Sequence, residues 1–64
     1  MRIKSLREDL DLTQAEVAEY LRIKQNTYCQ YENGKRQLPL KCLIALAKLY
    51  NTSTDYILGL TDER

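Results

Sequence analysis

Apolar residues recur every three or four positions along almost the whole chain, and nowhere do they alternate with polar ones over the length of a strand. That spacing predicts helices with one buried face and an all-α fold. Five short helices are expected. The first covers about residues 2–10, with Ile3, Leu6 and Leu10 at i, i+3 and i+7 on one face. Arg7 projects from that same face, and an inward arginine in a small domain needs an acidic partner. The second, about 14–21, has the clearest start. Thr13-Gln14-Ala15-Glu16 is a capping box: the Thr13 hydroxyl accepts from the amide three residues on, and the Glu16 carboxylate accepts from the amide of Thr13. Leu12 and Val17 suit a hydrophobic staple across that cap, and Val17, Ala18 and Leu21 face inward. Ala18 is small enough to let another helix approach closely.

Only Arg22-Ile23-Lys24 separate this helix from the third, about 25–33, so the connection is a tight helix-to-helix turn. Gly34 just beyond the third helix suits a left-handed cap. Gln25, Asn26, Cys29, Gln30 and Asn33 share one side of it; Tyr28, Tyr31 and Glu32 share the other. Glu32 is the natural partner for Arg7. A basic loop from Lys35 to Leu38 leads to Pro39, which suits the first turn of a fourth helix, about 39–50. Leu40, Leu43, Ile44 and Ala47 form its expected inward stripe, continued by Leu46 and Tyr50. Asn51 can take the left-handed position that follows. Ser53 can cap a last helix, about 54–58, with Asp55 near its positive end and Gly59 as its stop. Tyr20, Tyr28, Tyr31, Tyr50 and Tyr56 are expected in the core or at its edge.

Composition narrows the function. Sixty-four residues make one small domain, and a chain this short buries only about 60% of its unfolded surface, so its core must be dense. With no histidine and two cysteines, a zinc site or a histidine-based active site is excluded. No glycine-rich phosphate loop and no nucleophile with a plausible base is present, so no enzyme, metal or cofactor is expected. No apolar run approaches the ~20 residues of a membrane span. The start, Met1-Arg2-Ile3-Lys4, lacks the apolar core of a signal peptide. The cytoplasm is the expected compartment, with Cys29 and Cys42 as free thiols without a regulatory role.

The net charge of +1 hides a strong segregation. Residues 8–21 carry five acids and no base, whereas residues 22–48 carry six bases against Glu32 alone. A basic middle suggests a face aimed at a polyanion. The amide face of the third helix gives that idea its chemistry. Asparagine and glutamine donate and accept together, matching the N6/N7 edge of adenine in the major groove. Two helices joined by a three-residue turn, the second bearing amides, describe a helix-turn-helix reader. The start of the second helix, with Gln14, would meet a phosphate, and Asn33, Lys35 and Arg36 would meet phosphates beside the groove.

Thr13-Gln14-Ala15-Glu16-Val17-Ala18, Tyr31-Glu32-Asn33-Gly34-Lys35-Arg36, Leu46-Ala47-Lys48-Leu49-Tyr50 and Asp55-Tyr56-Ile57-Leu58-Gly59 together resemble the lambda-repressor-like (Cro/cI-type) helix-turn-helix family, over about residues 3 to 60. The resemblance implies a compact five-helix DNA-binding domain, usually dimeric on palindromic operators and usually a bacterial or phage transcription regulator. It places base contacts at Gln25, Asn26 and Gln30. Phosphate contacts fall at Gln14, Asn33, Lys35 and Arg36, and a structural ion pair joins Arg7 to Glu32. Two positions depart from the family pattern: Arg22 stands where glycine is common, and Tyr28 where a small aliphatic is usual. Ile57, Leu58 and Leu60 exceed what one short helix must bury and are expected to form a homodimer seam or the docking point of a further domain. A protein-interaction module on the same scaffold, such as an antitoxin or anti-repressor component, is the alternative. Such a module should show an exposed apolar stripe rather than an amide face.

Overall fold

The computed structural model describes residues 1–64 as five helices without a strand. These are α1 (Ile3–Asp9), α2 (Gln14–Leu21), α3 (Gln25–Glu32), α4 (Leu40–Leu49) and α5 (Thr54–Leu58). None is long and apolar enough to cross a membrane. Side-chain caps define two of the starts. The Thr13 hydroxyl accepts from the Glu16 amide at 3.1 Å while Glu16 Oε1 accepts from the Thr13 amide at 2.9 Å, and the Ser53 hydroxyl accepts from the Tyr56 amide at 3.1 Å. Arg2, Leu10, Asn33, Pro39 and Tyr50 flank their helices rather than belonging to them. Pro39 shows why: its backbone is extended, and its carbonyl accepts from both Cys42 and Leu43 at 3.0 Å, so it caps α4 from outside.

All five helices contribute to one core, built from Ile3, Leu6, Val17, Ala18, Tyr28, Tyr31, Leu43, Leu46, Tyr50 and Ile57. Four inward expectations are corrected. Leu10 is exposed because α1 ends at Asp9 and Leu10 belongs to the turn that follows. Leu40 and Ile44 are exposed because α4 buries Cys42 along with the expected Leu43 and Leu46. Ile44 precedes Leu46 by two residues, roughly half a turn, so burying one turns the other out. Tyr20 is 48% exposed on the outer side of α2, its hydroxyl only loosely donating to the Ala45 carbonyl at 3.4 Å.

One correction runs the other way. Ile57 is completely buried and is the only buried residue of α5, so it anchors that helix to the core and has no surface to offer a dimer seam. Leu58 and Leu60 remain exposed. Arg2 ties the chain ends together beside them. Its amide donates to the Ile57 carbonyl at 2.9 Å, its guanidinium lies 4.1 Å from the centre of the Tyr56 ring, and it bonds the Thr61 carbonyl and the Asp62 carboxylate.

Candidate nucleic-acid interface

The joint between α2 and α3 is set by one residue. Arg22 adopts the left-handed conformation (φ 58°, ψ 43°), which lets the Arg22 and Ile23 amides return to the Glu19 and Ala18 carbonyls, both at 3.0 Å. The last carbonyls of α2 are thereby satisfied without lengthening the helix. Ile23 packs against the core, and Lys24 is extended, its carbonyl accepting the Tyr28 amide that opens α3. The chain turns within three residues because left-handed geometry, although strained for a side chain larger than glycine, is accessible to a residue whose long stem leaves into solvent.

On α3, Tyr28 and Tyr31 are buried and fix which side faces out. Gln25, Asn26 and Asn33 are exposed, and Gln30 and Cys29 are half-buried beside them. The Asn33 amide nitrogen donates to Cys29 Sγ at 3.4 Å. Lys35 and Arg36 are exposed immediately after the helix, where Gly34 takes a positive φ of 72°. Gly34 is needed there by backbone geometry rather than by space, since nothing lies where its side chain would be. The start of α3 carries no side-chain cap and no acid in its first turn, so its leading amides are open to an incoming acceptor.

Gln14 is placed differently from the others. It is half-buried, and its side-chain nitrogen donates to Glu32 Oε1 at 3.0 Å, leaving one of its two N–H groups for any other acceptor. Lys24 and Thr27 belong to the same surface and were not singled out by the sequence pattern. Lys24 is exposed at the very start of α3, and Thr27 is half-buried at the edge of its outer face. The signal for Lys24 was present: a three-residue turn leaves whichever residue precedes α3 beside the open amides.

Behind this surface lies a clamp. Arg7 Nε donates to Glu32 Oε2 at 2.7 Å, Nη2 donates to Glu32 Oε1 at 3.2 Å, and Nη1 donates to the Leu12 carbonyl at 2.8 Å. The side chains are 12% and 2% exposed. With Gln14, the clamp joins α1, the start of α2 and the end of α3, holding the two helices of the motif at one angle. Burial pushes the Glu32 carboxyl up, but the hydrogen bonds from Arg7 and Gln14 act against it, and the group is held below the usual carboxylate range. Arg7 is raised, first by its hydrogen bond to Glu32.

The chain matches the Helix-turn-helix family, HTH_3, over residues 3–57. It belongs to that family. Among its relatives is the uncharacterized HTH-type transcriptional regulator YobD of Bacillus subtilis, 44% identical over 97% of this chain and 55% of the relative. The HTH-type transcriptional regulator ImmR of the same species is 43% identical over 91% of this chain and 46% of its own length. The cryptic phage CTXphi transcriptional repressor RstR of Vibrio cholerae is 41% identical over 77% of this chain and 44% of its own. The chain therefore spans about half the length of these relatives. Tyr28 is accommodated wholly inside the core, its ring filling space between α3 and the rest of the domain.

Proposed function

We propose that this helix-turn-helix domain binds double-stranded DNA sequence-specifically, as a bacterial or phage transcriptional regulator acting in the cytoplasm, without enzymatic activity or a cofactor. The observation that carries this reading is the outer side of α3. Exposed Gln25 and Asn26, with Gln30 beside them, sit on a helix whose opposite face is locked in the core and whose first turn is open. In the major groove these amides read base edges, each good bidentate pair discriminating by about 1–3 kcal/mol. Asn33, Lys35 and Arg36 hold phosphates on one flank. The first turn of α2, with the free N–H of Gln14, holds a phosphate on the other, while Lys24 adds a cation beside the start of α3. A homodimer formed through the exposed Leu58 and Leu60 would present two such readers to a palindromic operator.

Titrations of a selected operator and of random duplex test the assignment. Gln25→Ala or Gln30→Ala should lose about 1–3 kcal/mol on the operator and little on random duplex. Lys35→Ala should weaken both alike and flatten the slope of log affinity against log salt by about one. Equal losses for Gln30→Ala on both duplexes would show that α3 is not the reader and would favour a protein partner.

A further inference from the structure

Two tyrosine hydroxyls, those of Tyr28 and Tyr50, are buried in the core with no hydrogen-bond partner. An unpaired buried hydroxyl is costly, and a phenylalanine of the same shape would avoid the cost. Tyr28 and Tyr50 belong to one buried core, and the charges of Arg7 and Glu32 act on both. Tyr28 precedes Glu32 by one helical turn on the same inner face of α3, the spacing at which side chains meet. Tyr50, the residue that closes α4, lies close enough to Arg7, Glu32 and Tyr28 for their charges and hydroxyl to act on it. Counting donors and acceptors finds a place for both. A carboxylate offers about four acceptor sites. Glu32 Oε1 accepts from Arg7 and Gln14, but Oε2 accepts from Arg7 alone, so one site on Oε2 is open.

We propose that Tyr28 and Tyr50 are positioning residues of the clamp: Tyr28 donates its hydroxyl proton to Glu32 Oε2, and Tyr50 donates its own to the Tyr28 oxygen. The order follows from spacing, since Tyr28 stands one helical turn from Glu32. A carboxylate only accepts, so the single Tyr28 proton goes to Glu32, and the Tyr28 oxygen is then the acceptor left for Tyr50. The chain needs hydroxyl rotation and a small closing of the side chains, within the relaxation of a core. It carries the clamp from α1, α2 and α3 into the end of α4, so that α4 as well as α1 sets where α3 stands.

The groups that bear on Glu32 are Arg7 of α1, with Glu8 beside it, the uncharged Gln14 of α2, Tyr28 of α3 and Tyr50 at the end of α4. The ionisable groups of α5 are engaged elsewhere: Asp55 is exposed, and the Tyr56 ring lies under Arg2. Glu32 is held below its ordinary pKa, so the stability it confers is present at neutral pH and is lost as pH falls through its folded value. Removing the Tyr28 donor raises that value and brings acid unfolding in sooner.

The experiment is acid unfolding of the whole domain, followed by circular dichroism, for the parent, Tyr28→Phe, Tyr50→Phe and the double variant. Tyr28→Phe should move the acid midpoint up by about half a unit. Tyr50→Phe should move it less, in the same direction, and should add nothing in the Tyr28→Phe background because it acts only through Tyr28. Proton NMR of the parent should show a slowly exchanging hydroxyl resonance that disappears in Tyr28→Phe. An acid midpoint unmoved by Tyr28→Phe would overturn the proposal, whatever happens to the melting temperature. So would a Tyr50→Phe shift that persists undiminished in the double variant, since Tyr50 would then act on Glu32 without Tyr28.

Discussion

Glu32 holds a charge almost wholly out of water, and Arg7 is the residue that makes this tolerable. Arg7→Ala would remove both guanidinium donors to the carboxylate and leave it the Gln14 amide. Stranding one member of a buried pair costs about 3–5 kcal/mol, somewhat less here because the Arg7 side chain retains some contact with solvent. A domain this small is expected to have a total stability on the order of 5 kcal/mol, so the variant should be close to unfolded at neutral pH. Its deficit should shrink in acid, where the orphaned Glu32 becomes protonated and no longer carries a buried charge. Melting curves at pH about 7 and about 4 check both halves, the ordinary carboxylate range lying at the acid end. This pair was legible in the sequence because each partner interrupts an apolar helix face, which only an inward charge with an opposite partner explains. The Gln14 bond to Glu32 was not legible. A glutamine at a helix start is ordinary, and its orientation depends on where α3 brings the carboxylate.

At the scale of elements, the α2–α3 turn is short because Arg22 accepts a left-handed backbone. That conformation costs an L-residue with a side chain about 1–2 kcal/mol, part of which glycine returns through its greater freedom when unfolded. Arg22→Gly should therefore stabilise the domain by up to about 1 kcal/mol without moving α3. A chemical-denaturation midpoint that falls in Arg22→Gly would show that the arginine side chain contributes more than its backbone strain removes. Asp11 and Asn51 take the same conformation in the α1–α2 and α4–α5 turns, where short polar side chains tolerate it better. Asn51 could be anticipated from its place after an apolar stripe, whereas Asp11 stands between Leu10 and Leu12, where the apolar pattern runs on without a stop. On α4 the apolar pattern was ambiguous. With leucine, isoleucine, alanine and cysteine on several sides, more than one stripe satisfies helical spacing, and contact with the other helices chose the one through Leu46.

Across the whole molecule, the core takes only one of the three large aliphatic residues between 57 and 60. Ile57 went to the core; Leu58 and Leu60, the latter 74% exposed, did not. Leu60→Asp should leave the melting temperature of the domain nearly unchanged while weakening self-association in sedimentation equilibrium. Ile57→Asp should unfold the domain outright, because it buries an unpaired charge. Operator binding by the parent should fall steeply with salt, releasing on the order of four to eight counterions per dimer. Half-sites should lie about 34 Å apart or a multiple of it, one helical turn of DNA. A Leu60→Asp variant that still sediments as the parent does would place self-association elsewhere on the surface.

Local rules were enough to determine the number of helices, their caps, the three-residue turn and the side of α3 that carries amides. Each depends on residues within a turn or two of one another: a capping hydroxyl and its amide, a glycine after a helix, two tyrosines at helical spacing. The tertiary structure alone decided which apolar residues were surplus. Leu10, Tyr20, Leu40 and Ile44 were turned out, and Ile57 was drawn in. Burial is a property of what five helices leave uncovered together, and periodicity along one helix cannot say which of two adjacent stripes its neighbours will meet. The same holds for the clamp. The sequence supplies Arg7, Gln14 and Glu32, but only the packing of α1, α2 and α3 brings them to one place.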